Sequence, residues 1–249
     1  MSGEEISRMD LDELLARNRS LRTQFGEDPG LQSELQALQR WQAERLERTY
    51  ADLQERERYR PGVEFFLEEL YTDTDYMPRD TQLERASPIL KRMLPSQAQH
   101  SMRVAVQLEV LSQELDGEMT RALGPGTTID EQSYAEAYRS VGRREDRERQ
   151  IGFIIRAGRD LERLVKMPMI YTMIRMAHGP AHLAGFGALH DFLEDGFRAF
   201  RAMGGATEFL QAIEDRETRI MERILAGDPD PFRLSDEDAP PPVENPETP

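Results

Sequence analysis

The sequence lacks cysteine, and this absence removes several classes of functional site. Without thiols the chain cannot form a disulfide, a zinc–thiolate site, an iron–sulfur cluster or a cysteine nucleophile. The chain also lacks a glycine-rich phosphate loop with its lysine and a G-x-S-x-G nucleophile elbow. Neither P-loop nucleotide hydrolysis nor serine-hydrolase chemistry of that type is therefore expected.

Long apolar runs and excess positive charge are missing too. No apolar run approaches the roughly 20 residues that a membrane-spanning helix needs, and the first residues do not resemble a secretory signal. The chain has 47 acidic and 32 basic residues, which gives a formal net charge of −15. Such a charge repels phosphate backbones and anionic lipids. We therefore predict a cytoplasmic protein that binds neither nucleic acid nor membranes.

Strand patterns are absent, since no segment alternates apolar and polar residues over a sustained length. Apolar residues instead recur at intervals of three and four, as in the stripe formed by Leu31, Leu35 and Leu38. The fold class predicted from this spacing is all-α, a single compact bundle of about nine or ten helices over residues 1–227. Residues 228–249 are acidic, rich in proline and poor in apolar groups, and we predict that they form a disordered tail.

The region from Gln150 to Met203 is the longest stretch rich in apolar residues. Its part from Met167 to Ala177 is apolar on nearly every side, so we expect it to lie at the centre of the bundle. Gly179 and Pro180 are expected to end the helix there and turn the chain. The prediction is an interior hairpin of two helices, around which the other helices pack.

A first resemblance is carried by the segment FFLEELY at residues 65–71. Arg79-Asp80 follows it, and the next helix ends in the sequence MLP at residues 93–95. Together these features resemble a family of uncharacterised bacterial proteins, and the likeness continues through GRDLERLVKMP and FLEDGFRAFRAM. The resemblance implies an all-helical fold and brings no established activity with it.

A second resemblance concerns the segment ALHDFLEDG at residues 188–196. It is similar to the HDxxED segment of HD-type phosphohydrolases, which are all-helical and bind a divalent metal. The resemblance implies that His190 and Asp191 are metal ligands and that Glu194 and Asp195 help to position water. A bound metal would lower the pKa of that water. Such a site also needs an earlier histidine and a later aspartate, and no later segment resembles the usual final motif.

Two upstream histidines could complete a metal site. The candidate ligands are His178, His182, His190 and Asp191, and a histidine on an apolar face can also hold haem. However, the break predicted at Gly179-Pro180 would separate His178 from His182. A histidine on an apolar face is also more often a core residue with one satisfied hydrogen bond. No cofactor is therefore predicted outright, and a divalent metal or haem stays the alternative.

Methionines cluster in the same region. Methionine adapts to irregular shapes, so it lines pockets for apolar ligands and also fills irregular cores. The candidate residues for a ligand pocket are Met169, Met173, Met176 and Phe186.

No complete catalytic set emerges from these patterns. The leading prediction is a helical binding or interaction protein without its own catalysis, with a protein partner or self-association through the helix at residues 31–53. The alternative is a metal- or haem-dependent enzyme or cofactor binder that uses the histidines of residues 178–190. An HD-like phosphohydrolase is the concrete form of that alternative.

Overall fold

A computed structural model describes residues 1–71 and 77–234, without the side chains of residues 68–71, 77–78 and 80. Over these residues the chain forms twelve α-helices and no strand, which confirms the all-α prediction with a slightly higher helix count. The helices are α1 (Gly3–Arg8), α2 (Leu11–Gly26), α3 (Pro29–Thr49), α4 (Ala51–Glu55), α5 (Arg60–Tyr71), α6 (Met77–Met93), α7 (Ser96–Leu123), α8 (Glu131–Val141), α9 (Arg144–Val165), α10 (Pro168–Leu183), α11 (Gly187–Ala202) and α12 (Thr207–Ala226). None of the helices described combines the length and hydropathy that crossing a bilayer requires.

Short polar side chains begin several of these helices. The Asp10 carboxylate accepts hydrogen bonds from the backbone N–H groups of Asp12 and Glu13, and the Glu13 side chain accepts one from the Asp10 N–H. Asp130 and Ser133 form the same reciprocal arrangement at the start of α8. These bonds satisfy N–H groups that have no partner inside the helix, so the sequence itself fixes where α2 and α8 begin.

The core is organised around α7 and α9, which pack against each other. The helices α2, α3 and α8 pack on α7, while α11 and α12 pack on α9. Leu111, Leu115 and Met119 of α7 are fully buried. Burying each such side chain contributes about 1.5–3 kcal/mol. The two long helices therefore form the frame on which the later helices are positioned.

The helix α10 lies at the edge of the bundle, so the predicted interior hairpin is wrong for this helix. Ile170 is its only buried residue, and the side chains of Met169 and Met176 are 67% and 75% exposed. The following helix, α11, does contribute to the core, where Leu189 and Phe197 are buried. The pair therefore has one half anchored in the core and one half at the surface.

The predicted helix break at Gly179-Pro180 is also wrong. The helix α10 continues through both residues to Leu183, although proline removes a backbone donor. The chain turns instead at Gly185, whose φ of 77° is in the left-handed region that glycine adopts readily. Residues 178 and 182 are consequently one helical turn apart on the same face of a continuous helix.

The described part of the chain includes the first residues of the predicted tail. Residues 228–234 pack on the helices, with the Phe232 ring 5.7 Å from that of Trp41 and 6.0 Å from that of Tyr134. Phe232 thereby joins a core cluster formed mainly by α3, α8 and α12. The rest of the predicted tail, residues 235–249, lies outside the described residues.

Candidate metal centre

Four side chains meet where α10 and α11 fold on each other. His178 and His182 are in the last turns of α10, while His190 and Asp191 are in the first turns of α11. Each residue offers one ligand atom, and these four atoms all lie within 4.8 Å of one another. We call this group the histidine cluster. It is formed by the four residues that the sequence identified as candidate metal ligands.

The spacing within the histidine cluster is close to that of a coordination shell. His182 Nε2 lies 2.9 Å from Asp191 Oδ1, and His190 Nδ1 lies 3.5 Å from the same oxygen. Ligands bound tetrahedrally at about 2.0–2.1 Å from a zinc ion are about 3.3 Å apart. Because the four ligand atoms lie up to 4.8 Å apart, side-chain movements of up to about 1.5 Å would bring all of them around one ion.

The buried residue His190 has two ring nitrogens in different surroundings. Its Nε2 lies 2.8 Å from the carbonyl oxygen of Ile174, which can only accept, so Nε2 carries the proton and donates. In the neutral ring Nδ1 then holds a lone pair, and this buried atom has no hydrogen-bond partner within the described part of the chain. Metal-binding histidines are commonly fixed in this way, with one N–H on a carbonyl and the other nitrogen free to coordinate.

Asp191 supplies the carboxylate of the cluster. Partial burial favours a higher pKa for its carboxyl group, but the hydrogen bond with His182 and the interaction with His190 together outweigh this effect and hold the pKa below its usual value. The side chain is therefore an anion and can coordinate a cation. Because the hydrogen bond places a proton on His182 Nε2, a metal ion bound there would displace that proton.

Glu194 lies one turn after His190, beside the cluster. Its Oε2 is 3.6 Å from His178 Nδ1 and 3.9 Å from His190 Nδ1, and its other oxygen is 3.8 Å from a guanidinium nitrogen of Arg198. These distances are longer than hydrogen bonds and suit an outer charge better than a direct ligand. The Glu194 carboxylate therefore adds negative charge next to the site and can orient the His178 ring.

Two further residues position the cluster without joining it. A Cβ atom at Gly187 would lie only 2.8 Å from His182 Nδ1, so the absence of a side chain lets the imidazole pack against α11. The Gln82 side-chain oxygen accepts a hydrogen bond of 2.9 Å from the Leu189 backbone N–H, which ties the first turn of α11 to α6. Sequence patterns gave no signal for Gln82, because its partner is a backbone group.

The remaining sequence candidates lie elsewhere. Met169 and Met176 are exposed on α10, while Met173 and Phe186 are partly buried. The Phe186 ring stacks with the guanidinium of Arg85 at 5.2 Å. These four side chains are thus spread over a surface helix and the turn that follows it.

The cluster also differs from the HD-type arrangement that the sequence resembles. All four ligand candidates come from the α10–α11 hairpin, and the cluster has no ligand from a later helix in the part of the chain described. Asp195 forms an ion pair with Arg198 at 3.0 Å and is not part of the cluster. The His190-Asp191 pair is therefore present, whereas the later aspartate that the resemblance requires is missing from this cluster.

Comparison with known proteins identifies a family and no activity. A family described as "Domain of unknown function (DUF8198)" matches residues 21–231, which is most of the chain. Part of the FFLEELY…RD motif falls among the side chains outside the described residues. No curated protein and no solved structure matches the chain. The expected membership of an uncharacterised family is thus confirmed, and the chain belongs to the DUF8198 family.

Proposed function

We propose that this protein binds one divalent transition-metal ion, with zinc as the best-fitting ion, through the histidine cluster. The observation that carries the proposal is the buried Nδ1 of His190, which has no hydrogen-bond partner among the described residues and lies among three further ligand atoms. A buried nitrogen without a hydrogen-bond partner is destabilising, and a bound ion would satisfy it.

The donor set decides which ions are suitable. Three imidazoles and one carboxylate suit zinc and the neighbouring first-row metals, whereas magnesium and calcium prefer oxygen ligands. Haem fits less well, because the ring centroids of His178, His182 and His190 lie only 4.5–5.8 Å apart. Rings this close leave no room for a porphyrin between them, while a single ion fits.

The number of ligands favours binding over catalysis. Four protein ligands complete a tetrahedral shell, which is typical of structural zinc sites, whereas catalytic zinc sites keep one position open for water. Among the residues that the structure describes, no later aspartate joins the cluster as an HD-type phosphohydrolase would require. We therefore propose a metal-binding protein without its own hydrolytic activity, and we place it in the cytoplasm, as the sequence analysis predicted.

Metal titration of the purified chain tests this function. After treatment with a chelator and dialysis, we expect isothermal titration calorimetry and elemental analysis to give one zinc ion per chain. The His190→Ala variant should bind zinc at least about 100-fold more weakly, since removing an outer partner of a ligand alone costs 10–100-fold. The exposed ligand variant Asp191→Asn should also bind more weakly, with little effect on folding.

The fourth histidine provides a matched control. His100 lies on α7 and is not part of the cluster, so His100→Ala removes an imidazole from the chain without removing a ligand. This variant should bind zinc as the unmodified protein does. If no zinc binds, or if His100→Ala and Asp191→Asn weaken binding equally, the proposed function is wrong.

A further inference from the structure

We infer that metal occupancy controls whether the distal half of α10, residues 176–183, is docked on α11. This inference rests on the proposed metal site. The cluster joins the two helices, with His178 and His182 on one side and His190 and Asp191 on the other. An ion held by all four would therefore connect a surface helix to a helix anchored in the core.

Apolar packing contributes little to holding the distal half of α10. The only buried residue of the helix, Ile170, lies near its other end. In the distal half, Met176 is 75% exposed and Leu183 is 92% exposed. Local opening is easiest where few apolar groups are buried and where the backbone is near solvent. The distal half has both properties.

The sequence of the distal half also opposes helix formation. Gly179 and Pro180 are adjacent inside it, and these are the two least favourable residue types for a helix interior. Proline additionally leaves the carbonyl four residues before it without its helical donor. The distal half therefore needs contacts with α11 to stay helical.

The polar contacts with α11 pass through imidazoles. Within the distal half, His182 lies 2.9 Å from Asp191 and His178 lies 3.6 Å from Glu194. The hydrogen bond from His190 Nε2 reaches the carbonyl of Ile174, which lies just before the distal half. His178, His182 and Asp191 are exposed, so solvent screens their contacts and limits what they contribute. Coordination to one ion would replace screened contacts with bonds to both helices.

The direction of the coupling follows from the ligand count. With the distal half detached, His178 and His182 move away and only two of the four ligands stay together. The detached form then binds zinc more weakly than the docked form, and a ligand shifts an equilibrium toward the form that it binds better. Zinc therefore favours the docked state, and removal of zinc favours detachment.

Hydrogen exchange measured by mass spectrometry tests this inference. With zinc at about 100 times its dissociation constant, amides of residues 178–185 should exchange up to about 100-fold more slowly than in chelator-treated protein. Amides in the middle of α7 should be unaffected. If calorimetry gives one zinc ion per chain but exchange in residues 178–185 is unchanged, the inference is wrong while the proposed function stands. If no zinc binds, both fail.

A glycine variant separates docking from metal binding. At Gly179 a Cβ would meet no atom within 4 Å, so Gly179→Ala should fit while favouring the helix and keeping all four ligands. Without zinc, residues 178–185 of Gly179→Ala should exchange more slowly than those of the unmodified protein. The factor by which zinc slows exchange should be about fivefold smaller in Gly179→Ala than in the unmodified protein. The control Gly152→Ala, on exposed α9 surface with the same open space, should leave the zinc effect unchanged. An unchanged zinc effect in Gly179→Ala would contradict the inference.

Discussion

Gly187→Ala should weaken zinc binding without removing any ligand. A Cβ at this position would lie 2.8 Å from His182 Nδ1 and 3.0 Å from Cε1 of the same ring. An ordinary contact is about 3.5 Å, so the imidazole must move by roughly 0.7 Å. Metal–ligand distances tolerate changes of only about 0.2 Å. We therefore expect affinity to fall about 10–100-fold, which corresponds to roughly 1.4–2.7 kcal/mol.

Competition calorimetry with a zinc chelator of known affinity measures this difference. Gly152→Ala is again the control, since its added methyl group meets no atom within 4 Å. Circular dichroism should report the same helix content for both variants, so that a loss of affinity reflects the position of His182. In the proposed orientation, His182 coordinates zinc through Nε2 and its Nδ1 packs against α11. If Gly187→Ala binds zinc as tightly as the unmodified protein, this orientation is refuted.

The other predictions concern the stability of the bundle. Gly158→Ala should lower the free energy of unfolding by about 1–3 kcal/mol in chemical denaturation, because the new methyl group overlaps the Leu210 side chain. Burial favours a higher pKa for the Asp52 carboxyl, but two hydrogen bonds from Arg216 together with its positive charge outweigh burial and lower this pKa. Asp52→Asn should therefore cost about 1 kcal/mol at neutral pH after solvent screening, and this difference should begin to shrink as the pH falls below about 4 and be lost only as the pH falls through the lowered pKa of Asp52. Phe232→Ala should cost about 1–2 kcal/mol and shift the fluorescence of the single tryptophan to longer wavelength, whereas an unchanged spectrum would contradict the packing of residues 228–234.

The sequence was sufficient to predict the fold class and the members of the histidine cluster. The spacing of apolar residues is a local property, so it predicts helices reliably where the pattern is long. Adjacent His190 and Asp191 also form a recognisable pair. The sequence did not predict that His178 and His182 share one helix face, because proline usually ends a helix and Pro180 lies between them. Here the freed carbonyl belongs to exposed Met176, where water can replace the missing donor, and the helix continues.

The surface position of α10 also could not be predicted from the sequence. A segment that is apolar on nearly every side usually lies inside a protein, but apolar side chains also occupy much of a normal protein surface. Met169, Met176 and Leu183 are spaced seven residues apart and are all exposed, so they share one outer face of the helix. Composition alone cannot distinguish such an exposed face from a buried one, because burial depends on whether another helix packs against it.

The bundle holds the two halves of the histidine cluster with different strength. His190 and Asp191 follow Leu189, whose side chain is buried and whose backbone N–H is bound by Gln82 of α6, so the core fixes this half of the cluster. The two ligands on α10 lie in the distal half, which the core does not hold. A site with one fixed half and one weakly held half binds an ion with less affinity than a rigid site, because binding must also order the second half. Because binding must order the distal half, the position of α10 depends on the metal. In a rigid four-ligand site the helix position would not depend on it.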